Sequence, residues 1–427
     1  MVLENIKKTP RYWKKARVEL FTKLESLGPY TFFFTLSCAD VRWPENFTAL
    51  LEGHKVTYEC IEGKEDFFID DQPLDEFLKA YPNKHEFIKN NLLNATLNFQ
   101  HRLRMFLKNV MLSKGAPLTL SHYNYRIEFQ FRGAPHAHGT LWMDWKRFWM
   151  LPTQDTKNIV EGLNRIKSGD ALDLQQKSSL EKFADLFDSV SLKDPASATI
   201  VSEVNVHNHT AKACRKYGTT CRFNFPKYPI HKTIISTPSF IKYPEEKERR
   251  EKMAQHTLFL DGVKEVLEDK EKMEKVDSHG SQETKQLFGE RNIKWRLKNL
   301  IENGEYEKKA LIRLPDDMKH LFGDHEIQNG SVPMDILKAK ACNYQPQEDD
   351  MTALMKARIE HLLRLVDREK IDPSKSLLVQ YEEALSVNKK GYSVHYKRDT
   401  DEIMVNTYNP EWIAAWNGNM DFQLCLD

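Results

Sequence analysis

Cysteine is scarce in this chain: six residues in 427, at positions 38, 60, 214, 221, 342 and 425. A set so sparse and scattered builds no disulfide framework and suits a reducing compartment. No run of 18 apolar residues occurs, which excludes a long apolar transmembrane helix. Met1 to Trp13 carries lysines but no apolar core, so no secretory signal is read there. Net charge is nearly absent too: 63 Lys and Arg against 62 Asp and Glu leave +1. A whole-molecule polycation is thereby excluded, and any polyanion site must come from local segregation of charge. There is no internal repeat, no low-complexity tract and no G-x-x-x-x-G-K-[ST] phosphate loop. Apolar residues at 40% and aromatics at 11% are too many for a disordered chain. The length suits two to three domains.

Charge is segregated along the chain. From Phe87 to Met143 the sole carboxylate is Glu128, among Lys89, Arg102, Arg104, Lys108, Lys114, Arg126 and Arg132. From Val204 to Pro244 there is no Asp or Glu. That span holds Lys212, Arg215, Lys216, Arg222 and Lys227, interleaved with Tyr217, Phe223, Phe225 and Tyr228. Basic groups neutralise phosphates and aromatic faces stack on unpaired bases. Arg126, Arg132, Lys212, Arg215, Lys216, Arg222 and Lys227 are the candidate nucleic-acid contacts. The competing reading is a solvated basic face whose aromatics belong to the core.

Periodicity predicts a helix over residues 10–27, stopped by Gly28-Pro29, and another over 85–112. Tyr30–Cys38 reads as a buried strand. Tyr123–Phe131 alternates, Arg132-Gly133-Ala134-Pro135 is turn chemistry, and His136–Met143 is a second strand. Short helices are expected over 155–192, irregular structure over 201–244, and a solvated, mixed-charge helical insertion over 245–303. Residues 351–367 and 374–386 read as helices, and Tyr392–Val405 as a hairpin.

Period two puts His136 and His138 on one face of their strand, where two imidazoles can share an ion. A bare H-x-H is more often structural. If the hairpin turns over five residues, Gln130 faces His136 and Glu128 faces His138. Two imidazoles with Glu128, or Gln130 in its place, leave open positions on a divalent ion that polarises a phosphate. The alternative role of Glu128 is to pair with Arg126 or Arg132 and only balance charge. A second cluster, His207-x-His209-x4-Cys214-x6-Cys221, has four ligands suited to tetrahedral zinc, with His231 as a substitute. Its alternative is two buried free cysteines and two surface histidines. Trp142, Trp145 and Trp149 are read as packing residues. Asp40, Arg42 and Trp43 are placed either near DNA or in a plain loop.

Taken together, FFFTLSCADVRWPENF (32–47) and YRIEFQFRGAPHAHGTLW (125–142) resemble the replication initiator of Helitron transposons, the Helitron helicase-like domain. His136-Ala137-His138 matches the signature of the wider HUH endonuclease superfamily. VHNHTAKACRKYGTTCRFNFPKYP (206–229) and YNPEWIAAWNGNMDFQ (408–423) extend the resemblance. It implies an α+β fold, a Rep-like antiparallel sheet flanked by helices, with helical insertions and a small zinc-knuckle-like segment. The expected parts are a helical lead-in (1–28), the endonuclease-like core (29–200) and a basic His/Cys segment (201–244). A charged insertion or linker (245–350) and a C-terminal helical and β part (351–427) follow.

The resemblance further implies single-stranded DNA as partner and no membrane. It implies one Mg or Mn ion on His136, His138 and Glu128 or Gln130, a structural zinc, and a helicase domain in the full-length transposase. A nuclear location follows from that role alone. The family's nucleophile is a tyrosine on a helix, expected here beyond residue 427. Tyr392 and Tyr396 read as structural, so no catalytic residue is assigned. The alternatives are a catalytically dead single-stranded-DNA-binding module and a zinc-organised structural protein.

Overall fold

The computed structural model describes residues 9–39, 42–43, 46, 55–61, 64–73, 76, 91–113, 116, 118–129, 134–194, 196–210, 214–215, 218, 220–276, 293–323, 325–343 and 350–426. The fold is α+β, as the resemblance implies. Helix α1 (Pro10–Leu27) begins with Pro in its first turn, and the Thr9 side chain accepts the N–H of Tyr12. It ends at Gly28 with φ +78°, a conformation that favours glycine. None of its residues is buried, so the predicted helix forms without sinking its apolar stripe.

The central sheet has four antiparallel strands. In chain order they are β1 (Phe32–Ser37), β2 (Leu120–Phe129), β3 (Pro135–Met143) and, near the C-terminal end, Met420–Leu424. The last of these pairs with β1, which pairs with β3, which pairs with β2. Period two gives the sheet two unlike faces. One carries Phe32, Phe34, Leu36, Ala137, Leu141, Met420 and Phe422, all buried. Phe32 stacks on Phe422 at 4.8 Å and meets Phe183 and Phe187 at 5.5 and 5.7 Å. Those two phenylalanines come from helix Leu174–Phe187, which packs beside Thr153–Ser168. Gly139 is required here. A Cβ would lie 2.3 Å from the Phe34 ring and 2.6 Å from the carbonyl oxygen of Asn124. Only a bare backbone lets Phe34 cross β3.

Helix Leu92–Phe106, within the helix expected over 85–112, buries Ala95, Phe99, Leu103 and Phe106; residues 85–90 lie outside the described residues. It closes the same core with Trp43, Trp412 and Trp416. Trp43 is fully buried and its indole N–H donates to the carbonyl of Asn417, so it is a core residue and not a DNA contact. Trp149, expected to pack, is 72% exposed.

Two expectations fail. Helix Glu246–Glu268 is no solvated insertion: it buries Phe259, Val263, Val266 and Leu267. These pack against Ile359, Leu362, Leu363 and Tyr381 from helices Asp350–Arg364 and Leu377–Leu385, forming a second core. Its apolar stripe is narrow and is outnumbered in sequence by charges. Tyr392–Val405 is no hairpin either. Ser393–His395 pairs with Ile234–Pro238, and Arg398 and Val405 bridge to Ile230 and Val206. The segment is held open because Arg398 is buried and donates to the carbonyls of Glu402 and Val405. Asp399, also buried, pairs with Arg358 and Lys193.

Candidate metal centre and nucleic-acid interface

The second face of the central sheet is polar, and its register assembles the site in rows. His138 lies between Thr35 of β1 and Arg126 of β2. His136 lies between Ser37 and Glu128. Pro135 already pairs with Phe129, so the register is shifted by two residues from the expected one. Proline is tolerated as the first residue of a strand. Glu128 therefore faces His136, not His138, across the hairpin. It still reaches the second imidazole, with Oε2 3.6 Å from His138 Nε2. Gln130 and Arg132 lie outside the described residues.

Thr35 Oγ1 sits 2.9 Å from His138 Nδ1. An imidazole protonated on Nδ1 donates to Thr35 and leaves Nε2 bare on the side of Glu128. Burial lowers the pKa of His138, and the guanidinium of Arg126 lowers it further, favouring the neutral, ligating form. The rings of His136 and His138 run nearly parallel at 15°, with centroids 6.3 Å apart. Arg126 also pairs with Glu128, so the charge-balancing role weighed for this carboxylate is met as well. His136, His138 and Glu128 thus share one face of the sheet, but among the described residues their donor atoms do not form a group as tight as the quartet of His207, His209, Cys214 and Cys221. Sequence reasoning missed Thr35. Its alternation with Phe33 and Ser37 was visible, but its place beside His138 depends on a pairing across 103 residues.

The second cluster is closer. One ligand atom from each of His207, His209, Cys214 and Cys221 lies within 4.8 Å of every other. Cys221 Sγ is 3.4 Å from His207 Nε2, and Cys214 Sγ is 3.5 Å from His209 Nδ1. A tetrahedral zinc with bonds of about 2.3 Å to sulfur and 2.0–2.1 Å to nitrogen has S···N edges of roughly 3.5 Å. The backbone N–H of Thr210 also points at Cys214 Sγ, at 3.2 Å, as a thiolate acceptor prefers. Burial, with His209, Lys227 and Arg215 nearby, pushes the pKa of His207 down to about 4. Both cysteines are buried with Phe225 as their small core, and the His207 ring stacks on Phe225 at 4.4 Å. The quartet can hold a metal such as zinc. His231 takes no part: it faces Glu382 Oε1 at 3.6 Å, from the helix Leu377–Leu385.

The basic candidates fare unequally. Arg222 is exposed and its guanidinium lies over Phe223 at 4.5 Å. Arg215 is partly buried, next in sequence to Cys214. Lys227 donates to the carbonyl of Phe223 at 2.8 Å, and burial lowers its pKa. A phosphate contact from Lys227 would cost that bond. Lys212 and Lys216 lie outside the described residues.

Residues 1–141 match a family model described as the Helitron helicase-like domain at N-terminus. The matched stretch runs from α1 into β3 and contains Thr35, Glu128, His136 and His138, but not the zinc quartet. Over that third of the chain the sequence is similar to the family; the remaining two thirds lie outside the match. No curated protein and no solved structure matches the chain.

Proposed function

We propose that this chain is the single-stranded-DNA nicking and joining module of a Helitron-like rolling-circle transposase. The observation that carries the reading is the convergence of His138 Nε2 and Glu128 Oε2 at 3.6 Å, with Thr35 holding Nδ1 from behind. His136, His138 and Glu128 would hold one Mg or Mn ion, which when bound polarises the scissile phosphate. Arg126, Arg222 and Arg215, with Arg132, Lys212 and Lys216, would neutralise the backbone. Zinc on His207, His209, Cys214 and Cys221 would fold a polar segment that has almost no core of its own. A helicase domain as covalent partner and a nuclear location belong to the same reading.

Tyr392 and Tyr396 are poor nucleophiles. The Tyr392 hydroxyl donates to the carbonyl of Asp170 and accepts from the N–H of Leu172. That of Tyr396 donates to Asp188, and burial raises both pKa values. The attacking tyrosine is therefore assigned to neither. Those tied hydroxyls also suit a second reading, a module that binds single-stranded DNA without chemistry.

Manganese titration by calorimetry on zinc-loaded protein tests the first reading. The wild-type protein is expected to bind about one ion and His136→Ala/His138→Ala none, as a three-ligand open site requires. Equal binding by both, or none by either, removes the catalytic reading. Oligonucleotide affinity that does not fall with salt removes both readings.

A further inference from the structure

At the sheet edge formed by Met420–Leu424, reached from the polar face by Phe33 and Gln423, lies a cavity of about 350 Å³. Its walls include Tyr30, Phe33, Tyr392, Tyr396 and Gln423. We propose that this cavity receives one unpaired nucleobase of the strand held at the histidine pair. The inference rests on the single-stranded-DNA reading above and names where that strand is read.

Four observations carry it. The first is position. The register puts Gln423, Phe33, Thr140 and Asn124 in one row across the sheet, next to the row of Asp421, Thr35, His138 and Arg126. Phe33 belongs to both neighbourhoods, since its ring lies 6.1 Å from that of His138 at 21°. A strand whose phosphate sits at the histidines has its adjacent base at this wall.

The second is chemistry. Among the described residues, none that lines the cavity is charged. A phosphate or carboxylate would meet no counter-charge there, whereas a flat neutral ring meets four aromatic side chains. The third is rigidity. The hydroxyls of Tyr392 and Tyr396 are fixed in the hydrogen bonds described above, and Tyr30 packs edge-on against Trp142 at 6.1 Å. Rings already immobilised lose little freedom on stacking. The fourth is hydrogen-bonding capacity. Gln423 Nε2 donates to Asp421 Oδ2 at 3.3 Å, which orients the amide and leaves an N–H and the carbonyl oxygen for a base edge.

The test walks a single abasic site along a fluorescent oligonucleotide of about 12 nucleotides, a length within the usual single-strand site sizes. Binding to zinc-loaded protein is read by anisotropy. One position is expected to be sensitive, its abasic form binding about tenfold more weakly, as the loss of one stacked base predicts. Phe33→Leu, which keeps apolar volume but removes the ring, should weaken the intact oligonucleotide by a similar factor and become indifferent to that abasic site. Gln423→Ala should leave that sensitivity and flatten the preference among the four bases. If the oligonucleotide binds but no position is sensitive, or if Phe33→Leu stays sensitive at the same position, the pocket assignment is overturned while the DNA reading stands. If the wild-type protein binds no oligonucleotide at all, the DNA reading itself falls.

Discussion

Thr35 Oγ1 and His138 Nδ1 are 2.9 Å apart, although 103 residues of chain separate them. The contact fixes which imidazole nitrogen faces Glu128. Partners of this kind typically contribute 10–100-fold to metal affinity. Thr35→Val is therefore expected to weaken manganese binding by about that factor, and Thr35→Ser to restore most of it. Calorimetry on the three proteins checks this. Equal affinities would deny Thr35 an orienting role.

Zinc removal should unfold the segment around residues 207–225. Among the described residues, its buried core is Cys214, Cys221 and Phe225. Purified protein is expected to carry one zinc by elemental analysis, and Cys221→Ser less. Protection of the 207–225 amides from hydrogen exchange should drop on chelation while that of β3 persists. Unchanged exchange would mean that the quartet does not organise this segment.

Asp421 supplies a pH signature. Burial raises its pKa from 3.8 to about 6, and Lys227 only partly offsets this. Its ionisation is thus harder in the folded than in the unfolded protein. The destabilisation is absent below about pH 4, grows between 4 and 6, and is complete above. Asp421→Asn should then stabilise the protein at pH 7, relative to its effect at pH 4, by roughly 1–3 kcal/mol. Denaturant melts at both pH values decide it; a difference of the opposite sign would contradict the buried-carboxylate assignment.

Gly139 tolerates no side chain where Phe34 crosses β3. Gly139→Ala is expected to destabilise the fold by at least 2 kcal/mol, since backbone and a packed ring must both move. The double variant Gly139→Ala/Phe34→Leu should recover part of the loss. A melting temperature unaffected by the single change would show that the sheet relaxes freely there.

Local patterns were legible in the sequence. The alternation of Tyr123–Phe131, the stripe Ala95–Phe99–Leu103–Phe106 and the i, i+2 histidines each need only near neighbours to be seen. The zinc quartet was legible as ligand types, and the structure brings all four together. What was hidden depends on distant pairing. The two-residue shift that sets Glu128 against His136 follows from Pro135 entering the strand. The depth of helix Glu246–Glu268 depends on partners a hundred residues on. The failed hairpin at Tyr392–Val405 reflects Arg398 and Asp399, charges that look solvated in sequence and are buried against backbone carbonyls and Arg358.

The seating of Met420–Leu424 against β1 bears on how the molecule is made. Until those residues leave the ribosome, Phe32–Ser37 has an open edge of unpaired N–H and C=O groups beside three phenylalanines. Such an edge can template pairing with another nascent chain. With its closing contact almost 390 residues away, the sheet belongs to the slow, non-local class of folding problems. Heterologous yield should therefore respond more to chaperones and slow translation than to surface mutations.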